Sequence, residues 1–153
     1  MKRRNFLSLG AIALATAVSP TIMMAKDYRK SNLSAWEGDK SHKVADAIKE
    51  LYGTADTIKE GVTLNIPKVA ANGAAIPVKF SSSIKAKSVA VLQNKNPESL
   101  VAVFTVFDGT IIDNSLKMKM QESGTITVIV QGVDGKLYED SKSLEVALGG
   151  CEG

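Results

Sequence analysis

A chain of 153 residues that is 44% hydrophobic and 23% charged has the makeup of one globular domain, not of a disordered or low-complexity segment. Its formal charge of +3 is no sign of a polyanionic partner, because Lys2, Arg3 and Arg4 supply all of it. Without those three, 16 basic residues balance 16 acidic ones, and charge gives no support for binding nucleic acid. One Trp, three Tyr and four Phe are few aromatics, so the core must be built mainly from Val, Ile, Leu and Ala.

The chain opens Met1-Lys2-Arg3-Arg4-Asn5-Phe6-Leu7, with positive charge ahead of the apolar run 7–18. That is the layout of an export signal. The run is shorter than the about 20 apolar residues a membrane span needs. Adjacent arginines followed by Phe6 and Leu7 are similar to a twin-arginine signal, with ordinary Sec export as the alternative. Cleavage is expected after Ala25, before the polar run Lys26-Asp27-Tyr28-Arg29-Lys30; Ala17, which closes Ala15-Thr16-Ala17, is the alternative site. Residues 1–25 are thus read as a removed leader, and the mature chain as periplasmic with no membrane segment. The twin-arginine route carries folded cargo, so export together with a folded partner is expected.

Residues 41–52 have helical periodicity. Val44, Ala47, Ile48 and Leu51 fall on one stripe, Asp39 or Ser41 can cap the start, and Gly53 suits the position after the end. After Gly61 the period becomes two. Val62, Leu64 and Ile66 alternate with polar residues, and the runs around Ile76-Val78-Phe80, 101–106, Ile126-Val128-Val130 and Leu144-Val146-Leu148 do likewise. Turn signals separate them: Asn72-Gly73, Asn96-Pro97, Asp108-Gly109 and Asp134-Gly135, the last a two-residue hairpin candidate. About seven short strands make an immunoglobulin-like antiparallel β-sandwich the natural architecture, mostly β with one short N-terminal helix. The domain is expected over 26–148, followed by a C-terminal arm over 149–153.

Catalytic constellations are missing. His42, the one histidine, sits in a polar stretch and reads as a solvated surface residue. A lone His and a lone Cys far apart in sequence do not supply a metal site. No phosphate-cradling loop or dinucleotide fingerprint is present. Asp108, Asp113, Glu122, Asp134, Glu139, Asp140 and Glu145 read as solvating charges on strand edges and turns. Lys79, Lys85, Lys87 and Lys95 read as edge-strand lysines that guard against aggregation, and Trp36 as a packing residue. No cofactor, no metal and no catalysis by the chain alone are expected.

The last predicted strand runs into Gly149-Gly150-Cys151-Glu152-Gly153. A lone Cys in an exported protein forms no internal disulfide; it is buried, or it reacts outside its own chain. Burial is disfavoured here, at the third residue from the end and after two glycines that offer no side chain to pack. Gly149 and Gly150 lack Cβ, so the thiol sits on a slim tether that suits a narrow channel in another protein. A free thiol has a pKa of about 8.5, and thiolate is the nucleophile. Glu152 and the terminal carboxylate put negative charge nearby and oppose thiolate formation. Activation is therefore expected from whichever enzyme receives the arm, which suits a carrier better than a catalyst.

The Gly-Gly-Cys ending resembles that of the SoxY family of sulfur carrier proteins in thiosulfate oxidation. The likeness covers most of the chain. Asn72-Gly73 with Ile76-Pro77-Val78, Asn94-Lys95-Asn96-Pro97 with Val101-Ala102-Val103-Phe104, and Val146-Ala147-Leu148-Gly149-Gly150-Cys151 are similar to family segments in the same order. The resemblance implies an immunoglobulin-like fold, a heterodimer with a SoxZ-type β-sandwich subunit, and Cys151 as the point of covalent attachment. It also implies a c-type cytochrome that loads thiosulfate, a metal-dependent hydrolase that releases sulfate and, where present, a molybdenum-containing sulfur dehydrogenase. Glu152 departs from the family, which usually has Gly there. The alternatives are a SoxY-like carrier of a related system, such as one served by a quinoprotein dehydrogenase, and a structural sandwich that crosslinks through Cys151.

Overall fold

The computed structural model describes residues 25–147. The expected leader, bar Ala25, and the expected arm, with Leu148 before it, lie outside the described residues.

Eight strands are described: β1 (Val62–Asn65), β2 (Val69–Ala70), β3 (Ile76–Ser82), β4 (Ala86–Gln93), β5 (Leu100–Thr105), β6 (Ile112–Met118), β7 (Gly124–Gly132) and β8 (Leu137–Val146). They form a three-stranded sheet in the order β1-β3-β6 and a five-stranded sheet in the order β2-β8-β7-β4-β5. Neighbours pair antiparallel except β2, which runs parallel to the end of β8. The expected mostly-β sandwich with a short N-terminal helix is the architecture observed.

The inner faces of the two sheets share one core, with Leu64, Ile76, Val78 and Phe80 on one side and Val89, Val91, Ile126, Val128 and Leu144 on the other. A second apolar layer covers the outer face of the larger sheet. Ala47, Ile48 and Leu51 of the helix α2 (Val44–Tyr52) lie against Ala90, Leu92, Leu100, Ile129 and Leu137. A turn of helix at Tyr28–Ser31 (α1) and a 3₁₀ turn at Leu33–Ala35 add Tyr28 and Ala35 to that layer. Consecutive residues of β4 serve the two layers in turn, which is why Val89-Ala90-Val91-Leu92 are all buried.

The helical stripe packs as expected, and Gly53 ends α2 with φ 81°, a left-handed cap that glycine adopts without strain. The start differs. Helix begins at Val44, after Lys43, and neither Asp39 nor Ser41 caps it. Ser41 is committed elsewhere: its hydroxyl donates to the Glu98 carboxylate and its carbonyl accepts from Ser99 N at 2.8 Å. The Asp134-Gly135 hairpin forms with a loop of four residues between β7 and β8, wider than the two-residue turn expected; Gly135 takes φ 84°.

Two surface readings change. Lys79 lies on β3 between β1 and β6, Lys87 on β4 between β7 and β5, and Lys85 and Lys95 lie outside the strands at either end of β4, so none of the four guards an edge strand. Four of the carboxylates do more than solvate: Asp134 accepts from Tyr138 Oη at 2.8 Å and Glu122 pairs with Lys95, and two more reach across the fold. Asp140 Oδ2 accepts from Leu64 N at 2.8 Å and ties the two sheets together, and Glu139 accepts from Thr57 Oγ1 at 2.8 Å. His42 is exposed, as expected, with Nδ1 2.7 Å from the Pro97 carbonyl oxygen. Trp36 packs half-buried on the outer layer.

Candidate functional site at the root of the C-terminal arm

Gly149, Gly150, Cys151, Glu152 and Gly153 lie outside the described residues, but the strand that leads to them does not. β8 is held on both flanks as far as its end. Towards β7, Leu144 is in register with Gly124. Towards β2, Val69 and Ala70 are in register with Glu145 and Val146. Glu145 N donates to the Lys68 carbonyl at 2.9 Å, and Ala147 N to the Ala70 carbonyl at 3.0 Å. The Val146 N–H, which would otherwise lack a strand partner past the end of β7, donates to Ser123 Oγ at 2.9 Å. The backbone is thus fixed through Ala147, four residues before Cys151.

Three loops close around this root. The first follows β4 and is organised by Gln93, a polar side chain with no exposed surface. Its Oε1 accepts from Lys95 N at 2.6 Å and Asn96 N at 2.7 Å, and its Nε2 donates to the Glu98 carbonyl at 2.6 Å. One buried amide thus satisfies several backbone groups of a tight loop, where an unsatisfied group would cost about 1–3 kcal/mol. The second loop, 119–123, is bound to the first. Asn96 Nδ2 donates to the Lys119 carbonyl at 2.7 Å, and just beyond the loop Asn94 Oδ1 accepts from Thr125 N at 2.8 Å. Lys95 pairs with Glu122 at 3.8 Å.

The third loop carries the Asn72-Gly73 turn. Met120 N donates to the Gly73 carbonyl at 2.9 Å. A Cβ on Gly73 would stand 2.5 Å from the Met120 carbonyl oxygen and 2.8 Å from Val146 Cγ1. Only glycine lets that turn, the 119–123 loop and the end of β8 meet. The first loop also reaches the helical layer, since both Ser99 N and Ser99 Oγ donate to the Ser41 carbonyl, at 2.8 and 2.6 Å.

No group of three or more His, Cys, Asp or Glu able to hold a metal occurs among the described residues. Nor does any helix among them reach the length and apolarity needed to cross a membrane. A cavity of 1130 Å³ lies at the opposite end of the sandwich, between the ends of β1, β3 and β4 and the loop after β5. Near the root there is a furrow of 390 Å³ beside Asn96, Pro97, Lys117 and Lys119. Sequence reasoning pointed to the Asn94–Pro97 stretch but missed Gln93 and Ser123. A Gln inside a strand and a Ser in a loop carry no local signal for partners distant in sequence.

Residues 48–151, more than half of the chain, match the family of sulfur oxidation protein SoxY, and the match runs through the cysteine. The chain belongs to the SoxY family. Among solved structures, it is similar to the sulfur carrier protein SoxY from Chlorobium limicola f thiosulfatophilum, with 30% identity and a TM-score of 0.63, covering 69% of this chain and 97% of that one. A superoxide reductase (neelaredoxin) from Ignicoccus hospitalis superposes with a TM-score of 0.52 at 12% identity, covering 57% of this chain and 81% of that one, which shows a shared fold only. No match is found among curated proteins. In this SoxY-family chain the Asn72-Gly73, Asn94–Pro97 and Val146–Cys151 segments, from which the resemblance was drawn, are where the fold gathers the root of the arm: described parts of all three are bonded or in contact there.

Proposed function

We propose that this protein is a periplasmic sulfur carrier, without catalytic activity of its own, that holds thiosulfate-derived sulfur on Cys151 and presents it to the enzymes of a Sox system. The observation that carries this reading is the family match through residue 151, joined to a strand fixed on both flanks up to Ala147. A rigid body ending in Gly149-Gly150-Cys151 offers a thiol on a slim lead, which is what successive enzymes with enclosed sites require. Gly149, Gly150, Glu152 and Gly153 form the arm around the attachment point.

The chemistry balances as follows. The Cys151 thiolate and thiosulfate join through a new S–S bond, giving a cysteine S-thiosulfonate and two electrons, which pass to a c-type haem protein. Water then cleaves the terminal sulfur–sulfur bond at a metal-dependent hydrolase, leaving a persulfide on Cys151 and releasing sulfate and two protons. Where a molybdenum-containing sulfur dehydrogenase is present, it oxidises the remaining sulfane sulfur. The family implies Sox partners such as SoxZ, and a SoxZ-type subunit is proposed as the stable heterodimer partner. Lys2, Arg3 and Arg4 ahead of the apolar run support export through the twin-arginine route.

The test is intact-protein mass spectrometry on the protein from cells oxidising thiosulfate. A reductant-sensitive sulfur or thiosulfonate adduct is expected on the native chain and none on Cys151→Ser, with unchanged thermal unfolding. The same spectrum gives the mature N-terminus. A clean thiol, or only a symmetric disulfide dimer, would replace the carrier reading with a crosslinking one.

A further inference from the structure

β8 ends between unequal neighbours. On one flank lies β2, two residues long. It holds β8 through Glu145 N, which donates to the Lys68 carbonyl at 2.9 Å, and Ala147 N, which donates to the Ala70 carbonyl at 3.0 Å. On the other flank β7 pairs with β8 only as far as Gly124, opposite Leu144. Continued by two residues, that register would bring Glu122 opposite Val146. The backbone has turned away there, because Met120 N donates to the Gly73 carbonyl and the Lys119 carbonyl accepts from Asn96 Nδ2. In place of a strand partner, Ser123 Oγ accepts from Val146 N at 2.9 Å. A side chain thus stands in for a main-chain carbonyl at the last described position where β8 is held from the β7 side.

We infer that Ser123 is a positioning residue for the loading of Cys151, acting through β8: its hydroxyl fixes the end of the strand and so the direction in which the arm leaves the sandwich. This rests on the carrier reading above. Cys151 follows Ala147 by four residues, a span of at most about 14 Å at about 3.6 Å per residue. Over so short a lead, a swing of the strand's end is passed on to the thiol. Without the hydroxyl, Val146 and Ala147 are held from the β2 side alone, and the end of β8 can hinge about a two-residue strand. The bond is also exposed to solvent, so water can take its place at the Val146 N–H. Water satisfies the donor but ties it to nothing. The loss is therefore of position more than of stability, and the strand's end has to be ordered when an enzyme takes the arm. A contrast lies one step inside the ladder. Ser143 Oγ and Thr125 Oγ1 lie 2.9 Å apart across the same two strands, at positions already in register. That bond adds to a pairing the backbone makes anyway.

The experiment uses the full chain with its heterodimer partner, the thiosulfate-loading c-type haem enzyme of the same cell, and thiosulfate as the sulfur donor, with loading read by intact mass. Ser123→Ala is expected to raise the KM for the carrier by roughly threefold to tenfold with kcat kept, since the cost falls on taking up the arm and not on the chemistry. Ser123→Thr, which keeps a hydroxyl, is expected to restore most of the loss, and Ser143→Ala to load like the wild type. All three should melt within about 4 °C of the wild type. Hydrogen exchange supplies a readout independent of the enzyme. The Val146 amide should be protected in the wild type and exchange on the order of tenfold faster in Ser123→Ala, with amides at the centre of β7 unchanged. A wild-type KM in Ser123→Ala, a loss confined to kcat, an equal loss in Ser143→Ala or Ser123→Thr, or a Val146 amide already unprotected in the wild type would each overturn the inference. A wild-type chain that takes no sulfur would remove the carrier reading, and the role of Ser123 in loading with it.

Discussion

Where β8 leaves the sandwich, three loops are bonded to one another and to the strand, and a methyl group added at Gly73 would collide with backbone. At the other end the sheets part around a cavity of 1130 Å³, and Phe107, Ile111 and Val133 are left exposed, Ile111 by 83%. In an enzyme the large cavity would be the first place to look for chemistry. In a carrier the substrate travels on a covalent lead into another protein's site, so the functional end needs no cavity. It needs an origin that does not move. The difference between the ends marks rigidity, and not concavity, as the property to perturb.

The largest stability effect is therefore expected at Gly73. Gly73→Ala forces the turn away from the Met120 carbonyl or Val146 away from the turn, and overpacking of this kind costs about 1–3 kcal/mol. Thermal unfolding checks the cost. Loading of Cys151 by its enzyme checks the comparison, because a displaced root should lower kcat/KM beyond what any unfolded fraction explains. A variant that loses stability and loads normally would break the link between a fixed root and function.

A smaller effect belongs to the outer layer. Tyr52 Oη lies 3.2 Å from Ser88 Oγ, which donates to Gln131 Oε1 at 3.1 Å. Burial, opposed in part by the Ser88 hydrogen bond, pushes the Tyr52 hydroxyl up from 10.0 to about 12. The folded state therefore keeps its proton longer than the unfolded state does. The stability this contributes is complete below pH 10 and is lost as pH rises from 10 through 12. The melting temperature of the wild type should fall through that window more steeply than that of Tyr52→Phe. At neutral pH the variant should lose about 1 kcal/mol with its hydrogen bond. Parallel pH profiles would show that Tyr52 ionises as freely in the folded protein as in the unfolded one.

The helix α2 and the strands β1, β3, β5, β7 and β8 were legible because each rests on a local pattern: a 3.6-residue stripe or alternation of two. β4 was not, because both of its faces are covered. Its run Val89–Leu92 has no polar residue to alternate with, and the flanking Lys85 and Lys87 were read as guards of an edge that is not there. β6 was missed for the opposite reason. It edges the small sheet, and Asp113, Asn114, Ser115 and Lys117 leave it almost no apolar face. The set of loops around the root was partly visible as Asn-Gly and Asn-Lys-Asn-Pro turns. Its function as a clamp was not, since the Asn94–Thr125 and Asn96–Lys119 bonds join residues 31 and 23 apart in sequence.

The smallest expected effect is at the open end, and it tests the comparison from the other side. Ile111 lies beside the large cavity but keeps 83% of its surface in water, so Ile111→Ser removes little buried area. Stability should change by less than about 0.5 kcal/mol, as is usual for exposed positions without a cap, turn or network role. Loading of Cys151 should match the wild type, because Ile111 lies at the end of the sandwich away from the root of the arm. The same substitution at a buried core position would cost several-fold more, so an unchanged melt by itself says only that the side chain is exposed. The informative reading is the pair of measurements together. An unchanged melt with impaired loading would mean that enzymes, or the heterodimer partner they require, engage the open end as well, and the division of labour between the two ends would have to be redrawn.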